Sequence, residues 1–364
     1  MFRLLALTSW ILWSALSQSL AQTAAPTWDE LVEAAKREGT VVVVGPAHVE
    51  VRRQLPIAFQ NRFGIAMEYI AGPGGVTAAK LRTERSAGVY SADAALAASQ
   101  TLTSIFYPER MLDPLKPLLV MPEVLDKTKW KRGDLWFPDP EGEYVLRLFN
   151  SVWRLFTINT DLVTAEDLKS AKDLLLSPKF KGKIATHDPT FSGVGGNIAS
   201  HFYVQLGEDF VRQLYIDQKP VISRDERQLT DWLLRGTYPI VLGTDEHQVS
   251  NMKAEGFPVR EIYNLPGLNA PVTSGNGMLV VFNRAPHPNA AKLFVNWMAS
   301  KEGLEVYARL LKMSPTRNDI DDSQFVAADS IPKPGVEYFD SFDWQYSVET
   351  KGKVRDFMKE LLGR

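Results

Sequence analysis

The sequence predicts a two-lobed α/β protein, and three observations support this fold class. Helix and strand patterns alternate from Thr27 onward, which is typical of sheets built mostly from parallel strands. The chain has 364 residues, which is long enough for two domains with separate cores. Two apolar, β-prone stretches interrupt the alternation, and we interpret them as crossings between the lobes.

The N-terminus has the features of a secretory signal peptide, which we assign to residues 1–21. Arg3 supplies a positive end, residues 4–16 form an apolar run, and Ser19-Leu20-Ala21 has the small-x-small form that signal peptidase recognises. A membrane anchor would need about 20 apolar residues, more than this run provides. We therefore expect export, a mature chain that begins near Gln22, and no membrane insertion.

The composition restricts the chemistry and the partners. There is no cysteine, so stability must come from the core alone, without disulfides. A formal net charge of −2 without a basic run argues against a nucleic-acid partner. The sequence contains no G-x-S-x-G, H-E-x-x-H or nucleotide-binding motif. We therefore expect neither a cofactor nor enzymatic activity, and a hydrolase is the least favoured alternative.

The first α/β unit begins with a helix capped by Thr27, with acidic residues in its first turn. A continuous run of valine follows, which predicts a strand buried on both faces. The later elements of this unit are predicted at residues 48–63 (helix), 65–70 (strand), 76–86 (helix) and 92–96 (strand).

A second unit starts near Leu162. Its predicted elements are a strand at 183–186, a helix after Ser192-Gly193 and a strand at 239–242. A helix at 288–300 and a charged amphipathic helix at 351–364 complete the chain. We place the crossings, which would form a hinge, at 145–159 and 277–283. The first lobe then comprises residues 22–150 and 277–364, and the second comprises residues 151–276.

Ligands of such folds bind in the loops beyond the carboxyl ends of the strands. Two of these loops, 72–77 and 192–197, are rich in glycine and precede helices, where bare N–H groups attract anions. Alternatively, these glycines only form tight turns. The strand-end loops and the segment before the second crossing supply the ligand-binding candidates His48, Gly74, Gly75, Thr77, Ser99, Thr190, Ser192, Gly193, Thr244, Asp245, Glu246 and Asn276.

Charged candidates also have two interpretations each. Arg154 stands among apolar residues in the first crossing, so it needs an anionic partner, either a ligand or a protein carboxylate. His48 either contacts the ligand or is a hydrogen-bonded loop residue. Asp245 and Glu246 either hold a cation or hydroxyl groups, or lie exposed in solvent.

Four loose motifs occur in an order and spacing that resemble a known family. They are Val44-Gly45-Pro46-Ala47-His48, residues 157–163, residues 177–184, and residues 290–295 followed by Lys301-Glu302-Gly303. Over nearly the whole mature chain they resemble the iron-type (family 1-like) extracellular solute-binding proteins of bacterial ABC importers. Ile158 and Leu304 depart from the family pattern, which usually has Tyr and Gln at these positions.

The resemblance implies a periplasmic-binding-protein fold that closes by a hinge around a small-molecule solute in its cleft. It also implies a periplasmic location and a membrane permease as partner, and we expect a monomer. Closure would require contacts from residues 74–77 of one lobe and residues 190–193 of the other at the same time.

The resemblance also suggests two classes of ligand. The family's iron binders use a histidine that His48 matches, but Asp245-Glu246 replaces their tyrosine pair and no acid lies near Ala98. Carboxylates are still hard oxygen donors, so a ferric iron or metal carrier using His48, Asp245 and Glu246 is the alternative. The family's anion-binding positions are occupied by Ser192, Gly193 and Arg154. This match favours a solute with a phosphate, phosphonate, sulfonate or carboxylate group, whose hydroxyl or amine portion would face Asp245 and Glu246.

Overall fold

The computed structural model describes residues 27–191 and 193–364. The predicted signal peptide and Ser192 lie outside the described residues. The strands are β1 (Thr40–Gly45), β2 (Ala66–Ala71), β3 (Ala94–Ala97), β4 (Leu112–Asp113), β5 (Leu146–Arg147), β6 (Ser151–Val152), β7 (Phe156–Asn159), β8 (Ile184–His187), β9 (Val221–Ser223), β10 (Ile240–Leu242), β11 (Val259–Ile262), β12 (Pro271–Thr273), β13 (Met278–Phe282) and β14 (Phe339–Asp340). The α-helices are α1 (Trp28–Glu38), α2 (Val49–Phe63), α3 (Gly74–Ser86), α4 (Ser99–Thr101), α5 (Pro122–Leu125), α6 (Ala171–Leu175), α7 (Val194–Leu206), α8 (Glu208–Arg212), α9 (Glu226–Leu234), α10 (Glu246–Ala254), α11 (Pro288–Ala299), α12 (Lys301–Leu311) and α13 (Lys351–Leu361).

The first lobe is built on a sheet of order β2-β1-β3-β13-β4, with β5 paired to β13. Strand β1 runs parallel to β2 and β3, whereas β13 is antiparallel to β3. Both faces of this sheet are covered, because Val41 and Val43 belong to one buried cluster and Val42 and Val44 to another. The predicted fully buried valine strand is confirmed, since two-sided burial requires a continuous apolar run.

The second lobe contains a sheet of order β11-β7-β10-β8-β9. Strands β10 and β8 are parallel, while β7 is antiparallel to β10 and β11. Ile240 and Leu242 face one buried cluster and Val241 faces another. Each lobe therefore has its own core, and the carboxyl ends of its parallel strands carry the predicted ligand loops.

A small sheet of order β14-β12-β6 carries the passage between the lobes. In the first passage the chain leaves the first sheet after β5, forms β6, and enters the second sheet at β7. The second crossing is not where we predicted it, at residues 277–283. Residues 278–282 form β13 inside the first sheet, because all five are buried as a two-sided strand requires. The return passage instead uses β12, which pairs antiparallel with β6.

The C-terminal segment, residues 341–364, also departs from the predicted domain boundaries. Phe342 and Trp344 pack against a first-lobe cluster, whereas Val354 and Met358 belong to the core of the second lobe. Helix α13 packs on α7, with the rings of Phe357 and Tyr203 5.4 Å apart. The segment therefore spans both lobes. Its helix joins the second lobe because its apolar side chains are buried there, against α7 and the second-lobe core.

A buried arginine joins the first sheet to Asp340 of β14, the residue that directly precedes this C-terminal segment. Arg147 is 0% exposed, and its Nη1 donates to both carboxylate oxygens of Asp340 at 2.8 Å. Its Nε donates to the carbonyl of Phe149 at 3.0 Å, and its Nη2 donates to Oδ1 of Asn150 at 2.9 Å. The guanidinium thus ties β5, the start of the first passage, and β14 together.

We expect that Asp340→Asn destabilises the protein by about 3 kcal/mol, because it leaves a fully buried guanidinium without a countercharge. Urea denaturation measures this change. Glu208→Gln is the matched control, because Glu208 pairs with Arg212 at 2.7 Å but both side chains are nearly half exposed. Its cost should stay below about 0.5 kcal/mol. Equal effects of the two substitutions would contradict a structural role for the Arg147–Asp340 pair.

Candidate ligand-binding site

A cavity of about 120 Å³ lies between the lobes. Ser99 at the start of α4 lines it from the first lobe, and Gly193 before α7 lines it from the second. These two residues come from different strand-end loops that we singled out in the sequence. Two larger depressions, of about 550 and 480 Å³, each lie on a single lobe, so a ligand there would not contact both.

The cavity has basic and neutral polar walls. Among the described residues, its lining includes no Asp or Glu, and its charged members are Lys351 and Arg355 of α13. The neutral polar side chains that complete the wall come from both lobes and from the C-terminal segment. They are Ser99, Gln100, Ser104, Asn197, Ser200 and Ser347. Such a set of donors beside two cations suits an anion.

The amine of Lys351 lies beside a backbone carbonyl and two aromatic rings. Its Nζ donates to the carbonyl of Ser341 at 2.9 Å and lies 5.3 and 5.2 Å from the ring centres of Phe342 and Tyr346. Burial lowers the pKa of Lys351 to about 8, although the negative charge of Asp340 opposes this shift. At pH 7 the amine is still charged, because its pKa lies above that pH.

Lys351 and Arg355 are not among the ligand-binding residues predicted from the sequence. From the sequence we expect only a charged amphipathic helix at 351–364, as part of the first lobe. A spacing of four residues does place both side chains on one face of the helix. However, the sequence did not indicate which lobe this helix packs on or which of its faces meets the cleft.

Several predicted residues line a different and smaller space. Gly74, Thr77 and Asn276 surround a cavity of about 20 Å³ in the first lobe, which has room for little more than one water molecule. The Oγ1 of Thr77 donates to the carbonyl of Pro73 at 3.3 Å, inside its own loop. The structure thus brings these three residues together without leaving space for a ligand among them.

His48 and Gly75 stand at the starts of helices. The Nδ1 of His48 accepts the backbone N–H of Val51 at 3.4 Å and caps α2. This hydrogen bond matches the loop-residue interpretation of His48. Gly75 lies exposed in the first turn of α3, and neither residue is among those that line the cavity between the lobes.

Arg154 is paired with protein carboxylates. Its Nη1 lies 3.1 Å from Oε2 of Glu246 and 3.6 Å from Oε1 of Glu261, and its Nη2 donates to the carbonyl of Thr244 at 2.6 Å. Arg154 as a whole residue is only 8% exposed. Of the two alternatives for Arg154, the structure favours a protein carboxylate as its partner.

The second-lobe acids around Arg154 have local roles. Oδ1 of Asp245 accepts the backbone N–H of Gln248 at 2.9 Å and caps α10. Burial raises the pKa of Glu261, although the charge of Arg154 opposes this effect. Within residues 27–191 and 193–364, no group of three or more His, Cys, Asp or Glu side chains is placed to hold a metal ion. The proposed metal set of His48, Asp245 and Glu246 therefore does not come together.

Thr190 belongs to a network centred on a buried acid. Asp188 is 1% exposed; its Oδ1 accepts the N–H and the hydroxyl of Thr190 at 3.0 and 2.7 Å. Its Oδ2 accepts from Arg224 at 3.0 Å and from Arg364 at 2.9 Å. Burial alone would raise the pKa of Asp188, but these hydrogen bonds and the charge of Arg364 outweigh burial and lower it. The network joins the second-lobe ligand loop to the end of the C-terminal segment.

Comparisons with known sequences identify the family to which this two-lobed chain belongs. A sequence profile of the family described as bacterial extracellular solute-binding protein matches residues 57–333. No curated protein sequence matches the chain. In the part of the chain that the structure describes, no helix has both the length and the apolar character needed to cross a membrane.

Solved structures share the fold at low sequence identity. Iron-bound HitA from Pseudomonas aeruginosa is 18% identical with a TM-score of 0.62, over 88% of this chain and 99% of that one. AfuA from Actinobacillus pleuropneumoniae, with fructose-6-phosphate bound, is 17% identical with a TM-score of 0.64, over 89% and 99%. Apo ferric ion-binding protein A from Pasteurella haemolytica is 14% identical with a TM-score of 0.67, over 89% and 98%. These likenesses confirm the predicted two-lobed fold.

We expect that Asp188→Asn destabilises the protein by about 1–3 kcal/mol at pH 7, because a buried acceptor loses its charge-assisted hydrogen bonds. The lowered pKa of Asp188 means that this stabilisation is present above about pH 4 and is lost as the pH falls through the folded-state value. Urea denaturation measures the free energy of unfolding of the wild type and of Asp188→Asn, and we expect the difference between the two values to become smaller on acidification. A difference that stays constant below about pH 4 would contradict an ionised Asp188.

Proposed function

The chain belongs to the bacterial extracellular solute-binding proteins, and we propose that its solute is a small anion held between the two lobes. It is the periplasmic ligand-binding component of an ABC importer, with a membrane permease as its partner. We further propose that it binds and releases the solute without chemical turnover. Phosphorylated, phosphonate, sulfonate and carboxylate compounds are the candidate ligands.

One observation supports the anion above all: the described lining of the cavity between the lobes contains two cations and no carboxylate. A cation or metal there would meet like charges, which oppose binding. An anion would meet opposite charges together with hydroxyl and amide donors from both lobes. Of the two ligand classes that the sequence suggested, the cavity therefore supports the anion.

The backbone before α7 adds to this preference. Gly193 precedes a helix of 13 residues and has a φ of 122°, a backbone conformation that residues other than glycine rarely adopt. The bare N–H groups at this helix start carry partial positive charge that favours an anion by roughly 0.3–2 kcal/mol.

Binding would favour a closed arrangement of the lobes. A solute that contacts Ser99 and Gly193 at once gains its full contact energy only when both lobes reach it, so it shifts the equilibrium toward closure. We propose that the chain bends at the paired strands β6 and β12, since these carry both passages. The permease would then recognise the closed form.

Thermal unfolding with a panel of ligands tests the proposal. We expect phosphate monoesters, phosphonates or organic acids to raise the melting temperature, since a ligand at about 100 times its Kd adds about 2.7 kcal/mol of stability. Neutral sugars serve as the control and should have no effect. Stabilisation by ferric iron alone, with every anion inactive, would overturn the proposal in favour of a metal carrier.

The pKa of Lys351 predicts how affinity depends on pH. Below about pH 8 the amine is charged in the free protein, so affinity for an anion should be constant. Above about pH 8 each binding event must also take up a proton, so affinity should fall, by up to about tenfold per pH unit. Isothermal titration with methyl phosphate from pH 7 to 9.5 measures this dependence. Lys351→Gln should abolish the pH dependence, and a wild-type affinity that stays constant to pH 9.5 would exclude Lys351 from the site.

A further inference from the structure

Neither cation of the cavity forms an ion pair with a carboxylate of the described protein. Arg355 is only partly exposed, and its side chain forms no ion pair or hydrogen bond within the described residues. Lys351 contacts a carbonyl and two rings, and the carboxylate of Asp340 is already bound at both oxygens by Arg147. Two partly desolvated positive charges without anionic partners are unfavourable. This surface is therefore suited to a ligand that supplies the negative charges.

The helix that carries both cations is held in position by contacts within the protein. The two cations lie four residues apart on α13, on one face of the helix. Val354 and Met358 fix this helix in the second-lobe core, and Arg364 at its end binds Asp188 at 2.9 Å. A ligand would therefore meet a helix whose backbone needs little further ordering, which favours affinity.

A hydroxyl of the same wall also lacks a partner. The Oγ of Ser347 is buried, has no hydrogen-bond partner in the described protein, and belongs to a residue that lines the cavity. Buried polar groups without a partner are uncommon and call for a specific explanation. An oxygen-rich anion between Ser347, Lys351 and Arg355 would accept hydrogen bonds from all three.

We propose that Lys351 and Arg355 select a solute with a doubly charged group, such as the phosphoryl group of a phosphate monoester, over singly charged anions. This inference rests on the proposed function and specifies the substrate class. Two cations match two negative charges, whereas a singly charged group leaves one cation uncompensated. The cavity, at about 120 Å³, is smaller than the roughly 300 Å³ of ordinary ligand pockets, so it fits a compact head group.

Isothermal titration at about pH 7.5 with methyl phosphate and dimethyl phosphate tests the charge preference. The two probes share a phosphorus centre, but the monoester carries close to two negative charges and the diester one, because the second pKa of a monoester is near 6. We expect the wild type to bind the monoester at least about tenfold more tightly, the effect of one charge-assisted hydrogen bond.

Arg355→Gln and Lys351→Gln should each reduce this preference by about tenfold, and Arg355→Lys should retain most of it. Lys353→Gln is the matched control: it makes the same change of charge on the same helix, but Lys353 is exposed and outside the cavity lining. Urea denaturation checks that every variant is folded.

The outcomes separate the two proposals. The selection of a doubly charged group is overturned if the wild type binds both probes with equal affinity. It is also overturned if Arg355→Gln and Lys351→Gln leave the preference unchanged. In either case the proposal that the protein binds a small anion is unaffected. Equal loss of preference in Lys353→Gln overturns the selection of a doubly charged group as well, since the effect would then come from net charge. If the wild type binds neither these probes nor any anion of the thermal panel, both proposals fail.

Discussion

The burial of Arg147 is the constraint on which the rest of this structure depends. A guanidinium cannot be buried at this depth without an anionic partner, and the partner, Asp340, lies 193 positions later in the chain. The pair therefore anchors the C-terminal segment to the first lobe at the place where the chain leaves it. Because Arg147 binds both oxygens of Asp340, the nearby Lys351 forms no ion pair with that carboxylate, although the charge of Asp340 still favours the protonated amine.

From that anchor, the C-terminal segment becomes a wall of the cleft. Its aromatic residues Phe342 and Trp344 pack on the first lobe, and its helix packs on the second. Arg364 then reaches the same carboxylate that orders the Thr190 loop. Because one segment contacts both lobes and the ligand loop, its packing and the shape of the cavity cannot change independently.

Much of the fold could be predicted because it depends on local patterns. The capping box at Thr27, the buried valine strand and the helix before Ser300 all follow from residues close in sequence. The second passage was misplaced because a strand inside the sheet, such as β13, and a strand that crosses between lobes can both be apolar and β-prone. Only the pairing of β13 with β3 distinguishes the two cases. Long-range pairing of this kind leaves no mark on the composition of a single strand.

The site was harder to predict for a similar reason. Ser99 and Gly193 could be found, since strand-end loops carry ligands in this class of fold. Arg154 was expected to meet either a ligand or a carboxylate, and the choice depended on Glu246 and Glu261, about 90 and 107 positions away. The position of Ser192 relative to the cavity stays a prediction, because it lies outside the described residues. Lys351 and Arg355 looked like ordinary exposed helix charges until the packing of α13 was known.

Net charge also concealed the electrostatics of the cleft. A chain with a formal charge of −2 gives no sign of an anion site, but binding responds to the local potential and not to the sum. Arg154 lies beside two carboxylates, those of Glu246 and Glu261, whereas the only charged residues in the described cavity lining are the bases Lys351 and Arg355. The second lobe and its packed helix thus carry regions of opposite sign. Only the basic region lines the cavity between the lobes, so a solute in the cavity meets a positive local potential although the chain as a whole is slightly negative.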